Sequence, residues 1–206
     1  MNSKIYSALF AASLTAASAV AFAQAPIEVI RDPAAVQAGV YDVEPMHTRV
    51  LFSISHMGFT TWYGEFTSVS GSLNLDPKKP AGSALEIHIP VGTVSTTSAK
   101  LDGELKSDAW LGATQFPEIV FKSTKVTETG KGVGEVTGDL TFHGMTKPVT
   151  LAVKFNAAGV NPLDKKYTAG FEVTGKIKRS DFGVKTYLPL IGDDVDLIIS
   201  AGFEHT

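Results

Sequence analysis

The chain has 206 residues, 44% of them hydrophobic, and a formal net charge of −3 from 18 Lys and Arg against 21 Asp and Glu. That length suffices for one domain with a sizeable core, and so mild a charge does not supply the basic face that nucleic acid requires. The absence of cysteine excludes disulfides, thiolate metal sites, acylated-cysteine anchors and cysteine nucleophiles.

Residues 1–23 read as a targeting segment. Lys4 precedes a run of small and apolar residues from Ile5 to Phe22, which closes on the small-x-small pattern Ala21-Phe22-Ala23,. Cleavage is expected after Ala23, because a cut after Ala25 would set Pro26 against the scissile bond. The run is short and no basic stop follows, so export to the periplasm is expected rather than anchoring. No later run is long enough to span a bilayer, so the mature chain is expected to carry no integral membrane segment. Residues 24–38, with prolines at 26 and 33, read as an arm or linker ahead of a single domain over 39–206.

From Gly39 onward the hydrophobic period is two. Val50, Phe52, Ile54 and His56 alternate with Leu51, Ser53 and Ser55. In the stretch HMGFTTWYGEF that follows, Gly58 and the threonines read as a turn, and Trp62, Gly64 and Phe66 as the next inward row. Leu73 and Leu75, then Leu85, Ile87, Ile89 and Val91, continue the pattern. Over residues 98–112 it breaks. Leu101, Leu105 and Ala109 recur at helical spacing, Ser98 can cap the start, Ser107 a second turn, and Gly112 can close the end,. Alternation then resumes in four rows beginning at Val136, Val149, Phe171 and Val195, separated by turn signals such as His143-Gly144, Asn161-Pro162 and Gly192-Asp193,. Strict alternation marks half-buried antiparallel strands. Eight to ten of them, evenly spaced, predict an all-β sandwich or up-and-down barrel with one short helical insertion. Eight strands close into a barrel that side chains fill or that holds one small ligand.

Catalytic constellations are missing from the sequence. The five histidines lack the close spacing of a metal site, and His47 and His56 lie nine apart, which sends them to opposite faces of a strand,. There is no GxSxG elbow, and GKGVG at 130–134 reads as a hairpin turn. Asp102, Glu104 and Asp108 read as a solvated helix face,. Gly64, Gly71, Gly138 and Gly175 fall at inward positions. There they either serve a tightly curved barrel or leave room beside apolar walls.

Five blocks in order carry a resemblance: YDVEPMHTRVLFSISHMGFTTWYGEF, FPEIVFKST, GDLTFHGMTKPVTL, GFEVTGKIKRSDFGVKT and GDDVDLIIS. Together they resemble the YceI-like family of periplasmic polyisoprenoid-binding proteins over about residues 39–203. The resemblance implies an extended antiparallel lipocalin-like β-barrel, about eight strands, with the helix over one end. It implies an isoprenoid lipid or quinone as ligand, a possible homodimer, and no catalytic residue, cofactor or metal. The expected wall is Phe52, Ile54, Trp62, Phe66, Leu73, Ile87, Phe121, Leu140, Phe142, Leu151, Val153, Phe171 and Val173. His56 or Tyr63 is expected to meet a head group at the mouth. The alternatives are an accessory protein delivering a quinone to a membrane redox partner, and a hydrolase using Asp102, Glu104 or His56. Where the family usually has Arg-Asp-x-His-Leu-Arg-Ser, this chain has Leu101 and Glu104 in place of the first arginine and the histidine.

Overall fold

The computed structural model describes residues 28–206, so the expected leader and its cut after Ala23 lie outside the described residues. Eleven strands and one helix follow: β1 (Gly39–Val43), β2 (Arg49–His56), β3 (Thr60–Phe66), β4 (Ser70–Leu75), β5 (Ala84–Pro90), β6 (Val94–Ser95), α1 (Ala99–Lys106), β7 (Glu118–Gly130), β8 (Val133–Phe142), β9 (Met145–Val160), β10 (Tyr167–Lys178) and β11 (Ile191–His205).

Eight of them close a ring in the order β1-β4-β5-β7-β8-β9-β10-β11 and back to β1, all antiparallel. The closing seam is short: Tyr41↔His205, Asp42↔Glu204 and Val43↔Phe203. The rest of that edge of β11 pairs with β2, and β3 and β6 continue outward from β2 as a ribbon. The predicted eight-stranded barrel is therefore the ring, and the ribbon supplies the three further strands.

Alternation decides which face goes where. On β11, Val195, Leu197 and Ile199 point inward while Asp194, Asp196 and Ser200 face solvent. Across the outer face, Lys178 on β10 meets Asp194 at 2.8 Å and Lys176 meets Asp196 at 3.1 Å. Exposed pairs of this kind contribute about 0–1 kcal/mol each; burying the inner apolar row stabilises the sheet more.

Packed clusters occupy the two ends. One gathers Phe66, Val91, Val94, Trp110, Phe142 and Phe182 beside α1. The other gathers Val36, Tyr41, Leu73, Ala158, Ala169 and Phe203. Tyr41 is fully buried there and donates its hydroxyl to the Gln37 carbonyl at 2.6 Å. Burial, with Tyr167 adding, pushes its phenol up to about 12.

Three local expectations about turns and caps are corrected, and the described part of the 24–38 arm packs against the barrel. Ile30 exchanges both main-chain hydrogen bonds with Ala158, at 2.6 and 2.9 Å, and Val36 is 6% exposed. Apolar side chains at Ile30 and Val36 are what draw it in. The β2–β3 turn is Met57-Gly58-Phe59, with φ of 54° and 71° at its first two residues, and Thr60 and Thr61 already belong to β3. Two consecutive left-handed residues suffice to reverse a tight hairpin. Gly192-Asp193 is not a turn. It sits inside β11 at a register shift, where the Asp193 carboxylate accepts from the Ser180 N–H and hydroxyl at 2.9 and 2.8 Å. Ser107 does not start a second helix: its hydroxyl donates to the Glu104 carbonyl and closes α1, leaving Ala109 beyond the helix. Ser98 caps the start, accepting from the Leu101 N–H,.

Candidate ligand cavity

Between the two end clusters the barrel is hollow. The inward residues of its middle, among them Leu140, Leu151, Val153, Val173 and Leu197, are only half-buried although they face inward. Such residues would be fully buried in a barrel filled to normal packing density. They line a cavity of about 880 Å³ that runs from the β7–β8 hairpin to α1. That is within the roughly 300–1,000 Å³ of small-molecule sites.

Every wall residue named from the sequence lies on this cavity. Phe52, Ile54 and His56 come from β2, and Trp62, Tyr63 and Phe66 from β3. Leu73 and Ile87 come from β4 and β5, and Phe121, Leu140 and Phe142 from β7 and β8. Leu151 and Val153 come from β9 and Phe171 and Val173 from β10, with Val153 directly opposite Val173. The rows converge because period-two side chains on a closed sheet have one common inside. At the α1 end His56 stacks on Trp62, with ring centroids 5.2 Å apart, and Tyr63 stands beside them with 64% exposure.

The inward glycines do not leave space for a ligand. A Cβ at Gly64 would meet the Phe52 ring at 2.4 Å, at Gly138 the Phe121 ring at 2.5 Å, and at Gly175 a Leu151 methyl at 2.4 Å. Each glycine is roofed by a neighbour's side chain, which lies flat against the sheet. At Gly71 the Glu86 carbonyl itself would be 2.1 Å away. The hollow is kept by the ring's girth instead.

Charged lining residues are confined to the ends. Asp32, Glu128, Lys131 and Glu135 stand at the hairpin end, where Asp32 and Lys131 pair at 3.4 Å. Glu104 and Arg179 stand at the α1 end. Arg179 is 3% exposed and donates to the carbonyls of Gly192, Val184 and Ile191 at 2.8, 3.1 and 2.9 Å. Its guanidinium lies 5.4 Å over the Trp110 ring. Burial pulls its pKa below the ordinary guanidinium value, and Asp193 opposes that pull. Arg179 thus ties the start of β11 to the loop before it. The sequence carried a signal for it: Phe171, Val173, Gly175 and Ile177 continue at period two onto Arg179.

Part of the wall at this end is not strand. Among the described residues, β3 pairs outward with β6 only at Glu65 and Phe66. Leu101 and Leu105 of α1, with Trp110 and Leu111 after it, line the cavity there. They are held by Asp102, which accepts from the Thr96 N–H and hydroxyl at 2.7 and 2.6 Å, and by the Thr186 hydroxyl donating to the Ala109 carbonyl. Asp102, one of the carboxylates considered for catalysis, is therefore engaged in anchoring the helix. Trp110, Leu111, Tyr187 and the arm residues Pro33 and Val36 line the cavity without having been foreseen, because they come from irregular segments that lack a period.

Among the described residues no helix is long and apolar enough to cross a membrane, and no cluster of three metal-ligating side chains forms.

Comparison with known proteins agrees with this architecture. A YceI-like domain model matches residues 41–203. Protein YceI of Shigella flexneri is 42% identical over 159 residues, covering 77% of this chain and 82% of its own. The crystal structure of Burkholderia cenocepacia BcnA superposes with a TM-score of 0.71 at 24% identity, covering 78% of this chain and 98% of BcnA. A polyisoprenoid-binding domain from Saccharophagus degradans superposes at 0.59 with 14% identity, covering 82% of this chain and all of that one. Matched over most of its length by the domain model and by a relative of this identity, the chain belongs to the YceI-like family.

Proposed function

We propose that the protein is a non-catalytic periplasmic carrier that holds the chain of an isoprenoid lipid, a polyprenyl phosphate or a quinone, inside the barrel. The observation that carries this reading is the apolar hollow between two packed ends, with charged lining residues only at those ends. A branched hydrocarbon chain suits such a wall, and each buried methylene contributes about 0.8 kcal/mol before ordering costs. No metal or cofactor is needed for binding of this kind. Likeness to a polyisoprenoid-binding domain points the same way. In this reading His56 and Tyr63, which line the cavity at the α1 end, meet the polar head group.

The test is to purify the protein without detergent, extract it with organic solvent and analyse the extract by mass spectrometry. A stoichiometric isoprenoid is expected, and its head group will separate polyprenyl phosphate from quinone. An empty extract, together with no uptake of added polyprenyl or quinone lipid, would remove the carrier reading.

A further inference from the structure

An apolar tip surrounds the α1 mouth of the cavity. It is built from two loops joined by a hydrogen bond from the Met57 N–H to the Leu190 carbonyl, 2.8 Å. Phe59 at the β2–β3 turn is 85% exposed, Tyr187 61%, Leu190 57% and Met57 48%. Just behind the turn, Tyr63 and Trp62 are 64% and 40% exposed. Contiguous exposed apolar surface of this kind marks an interaction site.

Three features narrow the partner. The chain is 19% charged, yet residues 56–64 and 186–192 contain no Asp, Glu, Lys or Arg. The tip can therefore leave water without burying a charge. Secondly, aliphatic and phenyl side chains occupy the turn, and Trp62, Tyr63 and Tyr187 stand nearer the cavity. That order matches a bilayer, whose interface favours amphipathic Trp and Tyr while its acyl layer takes Phe, Leu and Met. Thirdly, Trp62, Tyr63 and Tyr187 also line the cavity, so one apolar surface runs from the hollow to the outside. Met57 and Tyr187 hold positive φ, 54° and 58°, a costly conformation for large side chains. Both loops thus present bulky apolar groups to solvent at the expense of backbone strain.

We infer that this tip docks on a phospholipid bilayer, inserting Phe59, Met57 and Leu190 so that the cavity mouth opens into the lipid phase. The inference rests on the carrier reading and adds where the lipid is loaded and released. A second copy of this chain is the competing occupant.

The test compares the whole protein with a Phe59→Asp/Leu190→Asp variant. Both positions are exposed, and thermal melting checks that the fold survives. Vesicles of phosphatidylethanolamine and phosphatidylglycerol, three to one, are sedimented with each protein, and tryptophan quenching by brominated lipid is recorded. Wild type is expected to co-sediment and to show quenching of Trp62, with Trp110 buried at 9% exposure and shielded. The variant is expected to bind vesicles about tenfold less or weaker still, yet to take up detergent-dispersed polyprenol as wild type does. Equal vesicle binding by both proteins would overturn the inference. So would a wild type that ignores vesicles but takes up dispersed polyprenol, a result that leaves the carrier reading intact. A wild-type dimer that the variant splits into monomers, with neither binding vesicles, would assign the tip to self-association. Failure to take up dispersed polyprenol would instead count against the carrier reading.

Discussion

Single residues at the arm end show how burial writes pH dependence into this fold. Tyr41 is enclosed, its hydroxyl bonded to Gln37, and its pKa lies near 12 against an ordinary 10.0. Below pH 10 both folded and unfolded chains keep the proton, so stability does not change. Between 10 and 12 the unfolded chain loses it first, so stability falls as pH rises. Thermal melts across pH 9–11.5 should show this decline in wild type, and Tyr41→Phe should flatten it while giving up the Gln37 hydrogen bond at every pH. An unchanged slope in the variant would locate the base sensitivity elsewhere. Tyr41 could not have been picked from the sequence, because its neighbours come from β10, β11 and the arm.

At the scale of elements, period two revealed most of the strands and their inward rows, whereas Phe121 on β7 entered the expected wall only through the family resemblance. What it could not show was how a strand's glycines are used. Gly64, Gly138 and Gly175 look alike in the alternation, but their surroundings differ. A methyl at Gly64 or Gly175 meets the movable end of Phe52 or Leu151, which can swing into the hollow. A methyl at Gly138 also meets the Lys122 carbonyl at 2.5 Å, and main chain within a ladder does not give way. Denaturant unfolding should therefore find Gly138→Ala destabilised by about 1–3 kcal/mol, the range of overpacking, and Gly64→Ala and Gly175→Ala by less. Equal losses at all three would mean that the rings are as fixed as the backbone. The helix illustrates a different limit. Ser98 and the leucine spacing announced α1, but the anchoring of Asp102 to Thr96 depends on where β6 ends, which no local pattern specifies.

For the molecule as a whole, ring closure was the hidden step. The seam joins Tyr41 to His205, and nothing in either segment names the other; alternation alone would equally have suited a sandwich. Hollowness was hidden as well, since a filled barrel has the same inward rows. The carrier reading makes hollowness measurable. Val173→Trp and Leu197→Trp add bulk at half-buried wall positions in mid-barrel. The variants should fold, melt at or above the wild-type temperature because they fill space, and retain at least about tenfold less isoprenoid on extraction. Full lipid content in both variants would place the ligand outside the barrel.

The panel beside β3 gives the barrel an uneven resistance to widening. Parting two neighbours in the ring would break a ladder of main-chain bonds and leave each group to find a new partner. Along Thr60–Gly64 the wall instead consists of Leu101, Leu105, Trp110 and Leu111, held by the Asp102 and Thr186 contacts and by packing. Outward movement there leaves every ladder intact. A guest broader than the resting hollow would therefore meet the least opposition on that side, where no ladder has to part.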